Sequence, residues 1–141
     1  MRRRAYAAAG ALLLIFAGAA LLAAVPSTAS ASRTVHITIH FSHFDLESLS
    51  VHPGETVRFV ITNTDPIDHE FIVGDEAVQV RHENGTEPSH GLRPGEVSVP
   101  AGTTQETTYT FPATPVPIEF ACHLPGHYAY GMHGPISITS S

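Results

Sequence analysis

The sequence predicts an all-β domain, an antiparallel β-sandwich of seven or eight short strands. Three observations carry that prediction. Short stretches rich in β-branched and aromatic residues alternate apolar with polar side chains, which suits half-buried strands. Turn residues punctuate those stretches at short intervals, and no internal repeat or long amphipathic helix interrupts them.

In chain order, Val35, Ile37, Ile39 and Phe41 alternate with Thr34, His36, Thr38 and His40, predicting a first strand over 33–41. The pattern breaks at 42–47, resumes over 48–51, and stops at His52-Pro53-Gly54-Glu55, whose Pro-Gly pair fits the centre of a type II turn. The segment 56–62 is the most β-prone, with Val57, Phe59 and Ile61 on one face. After the loop Asn63-Thr64-Asp65-Pro66, a strand returns over 67–73. A short helix is expected over 75–83, capped by Asp75 and stopped by Asn84-Gly85. The polar segment from Gly85 to Gly95 reads as an exposed loop. Strands follow over 96–99, 106–111 and 116–122, the last tolerating Pro115 and Pro117 at its start. Residues 136–139 make the final strand.

The beginning of the chain reads as a targeting segment rather than as part of the sandwich. Met1-Arg2-Arg3-Arg4 is basic, Ala5 to Val25 is an apolar run of 21 residues, and Ala29-Ser30-Ala31 is an A-x-A cleavage signal. A signal peptide of residues 1–31 leaves one domain, 32–141. The same run is just long enough to span a bilayer, so the rival is an uncleaved membrane anchor; the A-x-A site favours cleavage and export to the periplasm or beyond. Beyond residue 31 stand four arginines, no lysine and all 13 acidic residues, a formal charge of −9 with neutral histidines. That charge excludes nucleic acid as a partner and suits a soluble monomer or a basic protein partner.

The most informative stretch is Phe120-Ala121-Cys122-His123-Leu124-Pro125-Gly126-His127-Tyr128-Ala129-Tyr130-Gly131-Met132. Cys122 is the one cysteine, so in an exported chain no internal disulfide explains it. His127 follows five positions later and Met132 five after that, placing a thiolate, an imidazole and a thioether on one loop. Two histidines and a cysteine with a weak axial methionine suit both Cu(I) and Cu(II). Zinc, which also takes His and Cys, is poorly matched by the thioether. One strong ligand must then come from elsewhere in the chain.

On the C-x4-H-x4-M loop and the upstream segment from Asn63 to His69, the sequence resembles the cupredoxins, the plastocyanin and azurin family of type 1 blue copper proteins, in its small exported form. The resemblance implies a Greek-key β-sandwich and one copper ion held by His69, Cys122, His127 and Met132. It also places the His127 ring edge at an apolar patch with Leu124, Pro125 and Tyr128, a surface for docking a redox partner whose identity the sequence does not give. The loop spacing is nearer to the last domain of multicopper oxidases. Ala121 replaces their histidine before the cysteine, however, and no H-x-H pair supplies a trinuclear centre. No enzymatic activity and no catalytic residue are therefore expected. The function implied is a one-electron carrier cycling between Cu(I) and Cu(II); the alternative is copper storage, delivery or resistance outside the cytoplasm. Of the other histidines, His36, His40, His43 and His52 read as surface residues. His82 and His90 read as a possible secondary copper site in the polar segment. His123 and His133 flank the ligand loop, on the surface through which electrons or copper would pass.

Overall fold

The computed structural model describes residues 33–85, 89–91 and 93–139. The expected signal peptide or anchor of residues 1–31 lies outside them. Among the described residues, nine strands and one helix follow in order: β1 (Arg33–His40), β2 (His43–Phe44), β3 (Leu49–Val51), β4 (Thr56–Asn63), β5 (His69–Gly74), α1 (Glu76–Glu83), β6 (Glu96–Val99), β7 (Thr104–Thr110), β8 (Ile118–Ala121) and β9 (His133–Ile138). They form two sheets, one ordered β2-β1-β4-β7 and the other β3-β9-β8-β5-β6. The expected sandwich is thus present. Each sheet also contains one parallel pairing, β1 with β4 and β3 with β9. A parallel pair needs a connection that leaves the sheet and returns. From β1 to β4 the chain supplies it by crossing to the opposite sheet at β3, a long-range path that local alternation does not reveal.

The alternating residues meet between the sheets. Ile37, Ile39, Val57, Phe59 and Ile61 from one sheet pack with Phe71, Val73, Phe120 and Ile136 from the other, all at most 4% exposed. Phe44, Phe59, Phe71 and Phe120 make ring contacts with centroids 5.1 to 5.8 Å apart. Phe41, expected on the same face, is instead 77% exposed. It leaves the strand in the tight β1–β2 turn, where Phe41 and Ser42 adopt φ values of 51° and 55°. That left-handed pair twists in the sense that suits two-residue hairpins. The 52–55 turn forms as expected, with Gly54 at φ 73° and the Glu55 N–H donating to His52 O at 3.0 Å.

Every residue of β5 is buried, because the core covers one face while α1 and His90 lie against the other. The helix starts where its cap predicts, the Asp75 carboxylate accepting from the Val78 N–H at 3.1 Å. Its close approach to β5 needs Gly74, since a Cβ there would lie 2.5 Å from the Val78 side chain.

Candidate metal centre

The four residues singled out by the sequence come from two places. His69 opens β5, whereas Cys122, His127 and Met132 share the loop between β8 and β9. That loop is closed on itself: the Cys122 N–H donates to Met132 O at 3.0 Å, the Met132 N–H to His127 O at 3.1 Å, and the His127 N–H to Leu124 O at 2.9 Å. Gly126 and Gly131 take φ values of 85° and 99° to make its corners.

The folded chain brings three donors to one point. His127 Nδ1 lies 3.2 Å from His69 Nδ1 and 3.2 Å from Cys122 Sγ, and the three donor atoms all fall within 4.8 Å of one another. Ligands at bond lengths of about 2.0 to 2.3 Å around one ion stand about 3.3 to 3.6 Å apart, so the spacing fits a single ion. Met132, 0% exposed, belongs to the same buried cluster as Cys122. The donor set of two imidazoles, one thiol and a neighbouring thioether fits copper better than zinc or a hard cation.

Electrostatics prepare the donors. Burial pushes the Cys122 thiol up to about 11, although N–H groups of Glu70 and Leu124 donate to its sulfur and oppose that rise. An incoming ion must therefore displace a proton from it. Burial, then the neighbouring His69, lowers the pKa of His127, which keeps its ring neutral and able to ligate.

Two carboxylates that the sequence reading did not single out organise this centre. His69 Nε2 donates to Asp65 Oδ2 at 3.0 Å, which leaves Nδ1 with its lone pair towards the other donors. Asp65 is itself fixed by the β1–β2 turn, accepting from the Phe41 N–H at 2.8 Å and the Ser42 N–H at 2.7 Å. Burial acts to raise the Asp65 pKa, but Ser42, Phe41 and His69 together outweigh it and hold the carboxyl below its usual value. Asn63 braces the same loop, donating to Ile67 O at 2.8 Å and Val99 O at 3.0 Å while accepting from the Asp65 N–H at 2.9 Å. Glu70, next to His69, accepts from the His123 N–H at 2.8 Å, tying the two ligand-bearing segments together. The signal for Asp65 was its place four residues before His69; Glu70, on an otherwise apolar strand, was the other visible anomaly.

Around the centre, Pro125 is exposed while Leu124, His127 and Tyr128 are half-buried. His36, His40, His43 and His52 are exposed, as expected. His123 is not the open surface residue anticipated: its side chain is 3% exposed, with Nδ1 2.8 Å from Glu83 Oε2 and Nε2 2.7 Å from Gln79 Oε1. His82 and His90 are likewise buried, with side chains 2% and 3% exposed: α1 packs on β5 and brings His82 to Glu96, while His90 meets Glu70.

A cupredoxin-like domain family matches residues 12–114, a span that stops before Cys122. A copper-resistant cuproprotein CopI of Rubrivivax gelatinosus is 36% identical over 78% of this chain and 68% of its own. A protein of the same description from Pseudomonas aeruginosa is 30% identical over 78% of each chain. The dithionite-reduced auracyanin of the photosynthetic bacterium Roseiflexus castenholzii superposes with a TM-score of 0.62 and 25% identity, covering 79% of this chain and 100% of that one.

Proposed function

The chain belongs to the cupredoxin-like domain family, and on that premise we propose that it is an exported, non-enzymatic copper protein that protects against copper. His69, Cys122 and His127 are its strong ligands and Met132 its weak axial one. The observation that carries the copper assignment is the convergence of the three donor atoms within 4.8 Å beside a buried methionine. Resistance is favoured over electron carriage by the two relatives named for it, and export by the leader-like residues 1–31.

Copper bound there would supply a one-electron couple between Cu(I) and Cu(II). The chain's own part is to hold the donors so that neither oxidation state demands rearrangement: Asp65 fixes the His69 ring, Glu70 fixes the chain after Cys122, and loop hydrogen bonds fix His127 and Met132. Burial of Cys122 and Met132 keeps water off the sulfur donors.

A second reading, electron carriage, is supported by the exposed Pro125 and half-buried Leu124 beside His127, which suit weak, brief docking. The test is copper tolerance of cells whose own copper defence has been removed, complemented with the wild-type chain, Cys122→Ser or Leu124→Glu. Resistance predicts that only Cys122→Ser loses protection. If tolerance is indifferent to Cys122→Ser while Leu124→Glu slows electron exchange by the purified protein, the carrier reading replaces it.

A further inference from the structure

A second group of donors lies outside the centre described above. His82 in the last turn of α1, His90 in the segment before β6, and Glu96 at the start of β6 place one ligand atom each within 4.8 Å of the others. His82 Nε2 is 3.2 Å from Glu96 Oε2, and His90 Nδ1 is 3.9 Å from the same oxygen. With bonds of about 2.0 Å, neighbouring ligand atoms stand about 2.8 Å apart around a tetragonal ion such as Cu(II) and about 3.3 Å apart around a tetrahedral one, so the 3.2 Å pair is near either spacing and the 3.9 Å pair must draw in.

Each histidine presents the correct nitrogen. His82 Nδ1 donates to Val78 O at 2.8 Å, which places the proton there and leaves the Nε2 lone pair facing inward. His90 Nε2 sits 3.1 Å from Glu70 Oε2, which orients its Nδ1 towards Glu96. A histidine whose outer nitrogen donates to a carbonyl or carboxylate is the usual support of a metal ligand. Among the described residues, His82 Nε2 and Glu96 Oε2 are buried without a hydrogen bond although they face each other. With the ring neutral and its proton on Nδ1, that contact sets lone pair against lone pair, which a metal ion between them, or a second proton on Nε2, resolves. The backbone is equally fixed, since the His90 N–H donates to Ser98 Oγ at 2.8 Å.

Two arginines share Glu96. Arg81 pairs with its other oxygen, Oε1, and so aims Oε2 inward. Arg93 Nη1 stands 3.5 Å from Oε2, but its side chain is 54% exposed and can swing into solvent when an ion arrives. A pocket reaches the two histidines, lined by Glu70, His82 and His90 together with Leu124, Pro125 and Gly126 of the ligand loop.

We propose that His82, His90 and Glu96 form a second metal site, specific for divalent ions and filled by Cu(II) in preference to Zn(II). Two imidazoles and a carboxylate without sulfur favour Cu(II) over Cu(I), and Cu(II) heads the affinity order of first-row divalent ions. The two sites would then differ in oxidation state, one serving both and the other Cu(II) alone. This inference does not depend on the resistance reading, because it is settled by counting ions in the purified protein.

The test titrates the metal-free chain with Cu(II) sulfate, and in parallel with Zn(II) sulfate, followed by desalting, metal analysis and electron paramagnetic resonance. The expected result is two Cu(II) per wild-type chain, the second adding no thiolate-to-copper colour and showing nitrogen couplings with a wider copper hyperfine splitting. His82→Gln and Glu96→Gln should each retain one copper with the colour intact, which also reports that the fold survives. A His36→Gln/His40→Gln/His43→Gln variant should still hold two. One copper per wild-type chain overturns the proposal however the variants behave, as does a second copper that persists in both His82→Gln and Glu96→Gln. Zn(II) displacing the second copper at equal concentration overturns the stated preference.

Discussion

Asp65→Asn tests the idea that a turn on the far strand pair holds the copper ligand in place. In the wild type, the Asp65 carboxylate accepts three hydrogen bonds, from Phe41 N–H, Ser42 N–H and His69 Nε2–H, while 6% exposed. An asparagine keeps one carbonyl oxygen and turns the other acceptor into an NH2 donor, so at least one of those N–H groups faces a donor. Leaving a buried group unsatisfied costs about 1–3 kcal/mol, and loss of a supporting carboxylate typically weakens metal affinity about 10–100-fold. At about 4–8 °C per kcal/mol for a domain near this size, the metal-free variant should melt roughly 4–24 °C lower at neutral pH. The sign of the pH dependence follows from the lowered Asp65 pKa: its contribution is present above the unfolded value of about 3.9 and is lost as pH falls through the folded value. The gap between wild type and variant should therefore narrow in acid. Calorimetry of the metal-free proteins and competitive copper titration give both quantities. Equal copper affinity in the two proteins, together with a melting difference that does not change between pH 7 and pH 3, would refute the reasoning.

Met132→Leu should keep copper and colour while raising the reduction potential, because losing a weak donor destabilises Cu(II) more than Cu(I); Cys122→Ser should abolish the thiolate-to-copper band, and voltammetry with visible spectroscopy checks both. With the Cys122 thiol pushed up to about 11, copper uptake should release that proton at neutral pH, and apparent affinity should rise about tenfold per pH unit between roughly pH 7 and 10. In the metal-free protein, a thiol raised from an ordinary 9.0 to about 11 keeps its proton longer folded than unfolded, so stability should fall as pH rises between those two values and copper should remove the effect. Phe41→Asn with Ser42→Gly should raise stability by about 1–2 kcal/mol, since both positions hold left-handed φ values that cost ordinary residues about that much; a melting temperature at or below the wild type would count against the turn as a site of strain.

What the sequence made legible was local. Strand alternation placed Ile37, Val57 and Phe59 inward, Asp75 and Asn84 marked the helix ends, and the C-x4-H-x4-M spacing picked out the loop whose donors converge with His69. What stayed hidden depends on contacts across the chain. The partners of Asp65 lie 23 and 24 residues upstream of it, and Glu70 meets His123 across 53 residues. Polarity misled at His82, His90 and His123: a polar segment reads as exposed, yet here Val78 O, Glu70, Glu83 and Gln79 supply polar partners that let the histidines be buried. Phe41 misled the other way, because alternation continues on paper past the point where the backbone has turned.

Placing Cys122, His127 and Met132 on eleven consecutive residues has a consequence for the unfolded chain. Only His69 must be recruited from a distance; the other three donors remain neighbours even before any strand has paired. If the loop binds copper as proposed, the unfolded polypeptide would hold three of the four donors close enough to capture the ion ahead of folding, with the ion as a nucleus around which β8 and β9 come together. The same local capture limits how much copper can raise the melting temperature. An ion that also binds the denatured ensemble stabilises the native state only by the difference between its two affinities, a difference supplied here by His69, its Asp65 support and the burial of the sulfur atoms.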